Sequence, residues 1–232
     1  MFRIPFFNRS SPLAGSHVGG RLAAGSQEPP LCQHCRAEMP LFFQVEWTPG
    51  SHDTKRQLAV SACVSCTGED RIIPTMPKDH RKGCSVSSSF LKSSQTNFRL
   101  VITDVNSRPV PAKPAPEESA ILPKRLEADH HGVLRCDGRV FGRLGGKPEW
   151  IMEDETPGLC DQQEPFAFVC QIDSGWLFET RPKAAPQITL DLAGNPAPSR
   201  RPGYRLFNGN AAYFFATTVD GQPMAYVITQ CQ

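Results

Sequence analysis

The chain has 232 residues, with 25 Lys and Arg against 23 Asp and Glu, a formal net charge of +2. So small an excess argues against affinity for nucleic acid through bulk charge. No apolar run reaches the roughly 18 residues of a membrane-spanning helix, and 22 prolines leave little room for long helices of any kind.

In chain order, residues 1–16 read as a flexible arm. The opening Met1-Phe2-Arg3-Ile4-Pro5-Phe6-Phe7 is too short and too broken by Pro5 for a signal-peptide core, so a soluble, cytoplasmic protein is expected. Met39 to Trp47, Gln57 to Ala62 and Phe98 to Val105 are rich in β-formers and predict strands. Between them, Cys84 to Ser89 and Lys92 to Gln95 are serine-rich and predict a mobile loop. Pro109, Pro111, Pro114, Pro116 and Pro123 mark 107–129 as a stiff, extended linker, with room for one short helix near Ala120 to Ala128. Beyond it, Phe166 to Ile172 and Trp176 to Glu179 flank Asp173-Ser174-Gly175, a plausible hairpin turn. Ala211 to Val219 and Met224 to Thr229 flank Asp220-Gly221, the strongest hairpin signal in the chain. The predicted fold class is mainly β, with one unit over 17–106 and a second over 130–232.

The two units resemble each other. Val18-Gly19-Gly20, Pro30-Leu31-Cys32 and Phe43-Gln44-Val45 recur in the same order as Leu144-Gly145-Gly146, Gly158-Leu159-Cys160 and Cys170-Gln171-Ile172, at a nearly constant offset of about 127 residues. The expectation is an internal duplication, two antiparallel β units packed together.

Nine cysteines without an export signal point to metal rather than to disulfides. Cys32-Gln33-His34-Cys35 and Cys63-Val64-Ser65-Cys66 are two C-x-x-C pairs. Each suits a knuckle turn, and together they supply four thiolates for one structural zinc ion, Zn2+. Two pairs rather than one argue against a thioredoxin-like redox site. His34 sits inside a knuckle and is expected to face solvent. In the second unit Cys160 has no mate, being followed by Asp161-Gln162-Gln163-Glu164, and reads as a relic in a loop. Cys84, Cys136, Cys170 and Cys231 are scattered, and burial as a small hydrophobe is the default for Cys170.

Phe141-Gly142-Arg143-Leu144-Gly145-Gly146-Lys147-Pro148-Glu149-Trp150 invites a phosphate-loop reading and fails it. Only three residues separate Gly142 from Gly146, and Pro148 stands where Ser or Thr should hold magnesium. A structural motif is the better reading: Gly145 and Gly146 for a tight backbone, Pro148 to stiffen the exit and Trp150 as an anchor. On that reading Gly146→Val should give insoluble protein.

With Glu155-Thr156-Pro157, Phe168-Val169-Cys170-Gln171-Ile172-Asp173 and Asn210-Ala211-Ala212-Tyr213-Phe214-Phe215, this motif resembles the bacterial YwqG family over about 130–232. That family is similar to the eukaryotic programmed-cell-death-protein-2-like and Tsr-type ribosomal-protein chaperones, whose zinc knuckles the C-x-x-C pairs of the first half resemble more weakly. Asp161 to Glu164 departs from the pattern where relatives place a cysteine knuckle. The resemblance implies binding rather than chemistry: a bacterial immunity protein that neutralises a cognate toxin, or a chaperone for one client such as a ribosomal protein.

Enzyme signatures are missing: there is no G-x-S-x-G, H-E-x-x-H or G-x-G-x-x-G. His130-His131 beside Asp129 reads as a solvated turn, and Arg200-Arg201 with Tyr204-Arg205 as a small basic patch on a loop. The expected function is therefore a non-catalytic protein-binding module. A zinc-ribbon nucleic-acid binder is the alternative, and neither a membrane nor a small-molecule substrate is expected. Trp47, Trp176 and Phe178 are candidates to line a partner-binding cleft between the units, rimmed by Glu153, Asp154 and Glu155.

Overall fold

Alternation of side chains at period two, the signature of strands, runs through the chain. The computed structural model describes residues 15–20, 29–49, 54–67, 73–105 and 119–231. The first strands are β1 (His17–Val18), β2 (Leu41–Trp47), β3 (Arg56–Ala62) and β4 (Phe98–Asp104), with helix α1 (Ser88–Ser93) before β4. Then come β5 (Lys124–Ala128), β6 (Val133–Cys136), β7 (Arg139–Leu144), β8 (Leu159–Cys160), β9 (Glu164–Pro165) and β10 (Ala167–Ile172). The chain closes with β11 (Ile188–Leu190), β12 (Pro196–Pro198), β13 (Ala211–Val219) and β14 (Gln222–Gln230).

Ten strands form one antiparallel sheet in the order β14-β13-β10-β7-β6-β5-β1-β2-β3-β4, while β8–β9 and β11–β12 are separate ribbons. The outermost strands, β4 and β14, approach each other, so the sheet is nearly closed into a barrel. Burial follows the pleat. On β13, Ala212, Phe214 and Ala216 face the interior, and on β14 Ala225 and Val227 do so. Ala211, Tyr213 and Phe215, with Tyr226 and Ile228, face outwards into a second apolar cluster beneath α1, Val86 and Cys160. Both faces of this hairpin are thus covered, which accounts for its nearly continuous apolar sequence. Asp220 and Gly221 turn it with φ of +51° and +73°, the left-handed pair of a tight hairpin.

The halves are not two packed bodies. They share one sheet and one interior, where Phe43 on β2 meets Phe141 on β7 and Phe214 on β13 edge to face, with centroids 5.7 and 5.4 Å apart. Yet β1-β2-β3-β4 and β7-β10-β13-β14 run outwards from the middle of the sheet in the same connectivity. The Gly19 N–H donates to Phe42 O at 2.8 Å, and the Gly145 N–H donates to Val169 O at 2.7 Å. Gln44 lies opposite His17, as Gln171 lies opposite Arg143, and both glutamines are buried. The likeness is limited to these positions: the matched Cys32 and Cys160 differ, the first lying in the four-cysteine cluster and the second in the second apolar cluster.

Four expectations are corrected. Residues 124–128, expected in a linker or a short helix, form β5: Leu126 points inwards between Arg125 and Glu127, and pairing with β1 and β6 overrides their helix propensity. Of the serine-rich loop, 88–93 is a helix, with the Ser87 hydroxyl accepting from the Phe90 N–H at 3.2 Å and Leu91 buried. Trp176 to Glu179 does not fold back on β10, because β7 and β13 occupy both edges of that strand. Phe178 instead exchanges two 2.9 Å backbone bonds with Tyr204. Finally, Cys160 is a fully buried member of the second cluster rather than a loop relic. Residues 1–14 of the expected arm, 106 of the expected first unit and 107–118 of the expected linker lie outside the described residues.

Candidate metal centre

The first C-x-x-C lies on a tight turn between Leu31 and Glu38, which bridge each other. The Cys32 N–H donates to Ala37 O and the Arg36 N–H to Cys32 O, both at 2.9 Å. The second pair begins where β3 ends. Both turns hang on the residues just before β4: the Gln33 N–H donates to Thr96 O and the Cys63 N–H to Asn97 O, each at 2.8 Å. Nothing in the sequence signalled Thr96 and Asn97, which supply backbone carbonyls to these turns.

This framework brings all four Sγ atoms within 4.8 Å of one another, at 3.7 Å for Cys32 and Cys66, 3.5 Å for Cys35 and Cys63, and 3.6 Å for Cys63 and Cys66. Four sulfurs about 2.3 Å from a zinc ion form a tetrahedron with edges of about 3.8 Å, so the spacing matches metal ligation. All four thiols are free. The Ser65 N–H points at Cys63 Sγ at 3.4 Å, the kind of bond that steadies a thiolate in a knuckle. Burial pushes the Cys63 thiol up to about 11 and the Cys66 thiol up as well. Burial acts the same way on Cys35, but the Ala37 N–H and the neighbouring thiols outweigh it and the net direction is down. Thiols this close cannot all ionise unless a cation takes up the charge. The donor set is all sulfur, suited to zinc or another soft ion. Cys32 is buried and His34 exposed, as the knuckle geometry requires.

Beside the centre opens a cavity of about 250 Å3, walled by Cys63, Cys66, β11, Arg201, Arg205 and Asn208. Among the described residues, no carboxylate lines it. Arg205 Nε is buried without a hydrogen-bond partner, and burial together with the Arg201 charge holds the Arg205 guanidinium below its ordinary value. Phe207 and Asn208 on its wall have φ of +46° and +60°, a strained conformation for residues with a Cβ.

The other candidates are spread over the molecule. Phe178 is 1% exposed and packs edge-on to Phe42 at 4.9 Å, so it is a core residue without a partner-facing surface. Trp47 and Trp176 are half-buried against the same core, with the Arg139 guanidinium 4.8 Å from the Trp176 ring. Glu153 is exposed. Asp154 pairs with Lys82 at 2.7 Å, and Glu155 lies 3.5 Å from His80. His130 and His131 are exposed in a turn held by Asp129, as expected.

The Gly145-to-Trp150 motif is structural in its contacts. Gly145 and Gly146 have φ of +67° and +73°, with open space where a Cβ would point, so they serve the turn rather than a close approach. Past Pro148, the Glu149 N–H donates to Gln171 Oε1 at 2.8 Å, the Tyr213 hydroxyl donates to Glu149 O at 3.1 Å, and the Trp150 ring lies 4.2 Å from that of Tyr213. Gln230 continues the series, accepting from the Ile151 and Met152 N–H groups. Tyr213 and Gln230 were not singled out in the sequence, where they pass for ordinary strand residues. No family model, curated protein or solved structure matches this chain.

Proposed function

We propose that the chain is a non-catalytic protein-binding module stapled by one structural Zn2+ on Cys32, Cys35, Cys63 and Cys66, and that it acts as an immunity protein neutralising a cognate toxin. Four protein thiolates close the coordination sphere and leave no open position for substrate, which favours a structural metal over a catalytic one. The observation that carries the binding reading is the cavity beside the knuckles, which among the described residues has two guanidinium groups and no carboxylate. Four thiolates on Zn2+ leave two negative charges, which Arg201 and Arg205 offset. Docking of a partner's acidic group would then rest on the directed hydrogen bonds of the arginine forks rather than on net charge.

The test is co-purification from the source organism and co-expression with any toxin encoded beside the gene, using wild type and Arg201→Ala/Arg205→Ala. The reading requires one stoichiometric protein partner, lost in the double variant while metal content is kept. Loss of metal in that variant would instead assign the arginines to the centre. Turnover of a small molecule would refute the binding reading. A chaperone role would show as a partner identified as a ribosomal protein or other client. The same arginines suit phosphate, so a gel shift at two salt concentrations separates a nucleic-acid binder from a protein binder.

A further inference from the structure

The segment from 73 to 87 crosses the outer face of β14 and sets a thiol outside the four-cysteine cluster against a histidine and a carboxylate. Cys84 Sγ lies 3.9 Å from His80 Nδ1, and His80 Nε2 lies 3.5 Å from Glu155 Oε1. The His80 side chain is only 9% exposed, whereas Cys84 is half-buried and reachable from solvent.

Each member is oriented by the next. Gln230 Oε1 accepts from the Ile151 and Met152 N–H groups at 3.1 and 3.0 Å, which fixes its amide. Its Nε2 then donates to Glu153 O at 2.8 Å and to Glu155 Oε2 at 2.9 Å. His80 Nε2 is buried and makes no hydrogen bond, but the Glu155 carboxylate 3.5 Å away is the charge it faces, which favours the proton on Nε2 and the lone pair on Nδ1. Two groups face that lone pair, Cys84 Sγ and the Tyr226 hydroxyl at 3.4 Å. The Tyr226 hydroxyl also reaches Met76 Sδ at 3.7 Å, so its single proton is shared between that sulfur and Nδ1, and it competes with the thiol for the lone pair. A nucleophile within reach of a base, with the base held by a third group, is the arrangement that activates cysteine.

We propose that Cys84 is a nucleophilic thiol, with His80 as its base and Glu155 as the positioning residue, and that it is modified covalently by soft carbon electrophiles of the alkyl- or acyl-donor class. The sulfur forms a bond to the electrophilic carbon as the bond to the leaving group breaks and the leaving group departs with the electron pair. The thiol proton passes to His80 Nδ1, and Glu155 stabilises the imidazolium until the proton is released to water. The site does not rest on the binding function proposed above.

Cys231 is exposed and makes an internal standard for an ordinary thiol. The full-length, metal-loaded protein is treated with iodoacetamide at neutral pH, and labelling is followed residue by residue by mass spectrometry. Cys84 should react at least about tenfold faster than Cys231 despite its lower exposure. His80→Gln should bring Cys84 to or below the Cys231 rate, and Glu155→Gln should slow it several-fold, in samples shown by melting to be folded. A Cys84 rate at or below that of Cys231 in the wild-type protein overturns the proposal, and needs no variant to fold. An unchanged ratio in folded His80→Gln overturns it equally, leaving these contacts as an anchor for the loop.

Discussion

Cysteine meets four fates here, and local contacts decide which. Cys32, Cys35, Cys63 and Cys66 converge, Cys136, Cys160 and Cys170 are buried as small hydrophobes, Cys84 lies half-buried against His80, and Cys231 is exposed. Cys32→Ser should abolish stoichiometric metal binding as read by elemental analysis. Cys160→Ser should leave metal content unchanged while costing about 1–3 kcal/mol for a hydroxyl in an apolar cluster; equal metal loss in both would undo the distinction. A second prediction concerns Asp154, whose carboxyl is held at about 2 by the Lys82 ammonium first and then by the Thr156 hydroxyl and N–H. Its folded pKa lies below the ordinary value, so its contribution is present above about pH 4 and lost as pH falls through about 2. Both partners are well exposed, at 70% and 39%, so screening keeps that contribution under about 1 kcal/mol. Asp154→Asn should lower the melting temperature slightly at pH 6, with the gap closing towards pH 2 and in high salt. The metal ligands were legible because C-x-x-C spacing encodes a turn by itself. The surroundings of Phe178 and Glu155 were not, because burial and ion pairing depend on residues far away in the chain.

Turns and strands were legible where neighbours in sequence are neighbours in the sheet. The β13–β14 hairpin, β2, β3 and β4 follow directly from β-rich runs bounded by turn residues. β5 was missed because its pairing with β1 spans more than a hundred residues, and α1 because one capping serine and one buried leucine are a weak local signal. The Gly-Gly turn was recognised as structural, but its contacts soften the expected penalty. A Cβ at Gly146 meets no atom within 4 Å, so Gly146→Val should give soluble protein destabilised by about 1–3 kcal/mol, chiefly from left-handed backbone strain. Gly142 is the opposite case: a Cβ there would collide with Gln171 O in the neighbouring strand. Gly142→Ala should therefore cost more than Gly146→Ala in denaturant unfolding.

One interior shared by both halves changes what metal removal should do. Two separate units would unfold independently when zinc is lost from the first. With Phe43 in contact with both Phe141 and Phe214, chelation should lower the stability of the whole chain, and calorimetry should show one transition at lower temperature, not two. The repeated sequence pattern gave no sign that the two halves fuse into one sheet, since that depends on β5, β6 and β1. The seam is narrow: β1 offers two residues, His17 and Val18, paired to β2 on one side and β5 on the other. Strands this short fray first, and each fraying event bares two hydrogen-bonding edges at once. One is the apolar β2, carrying Phe42, Phe43 and Val45. A second chain in the same condition offers a matching β1, so the seam is where this barrel would exchange strands between copies and begin to aggregate, and Val18→Pro should hasten both.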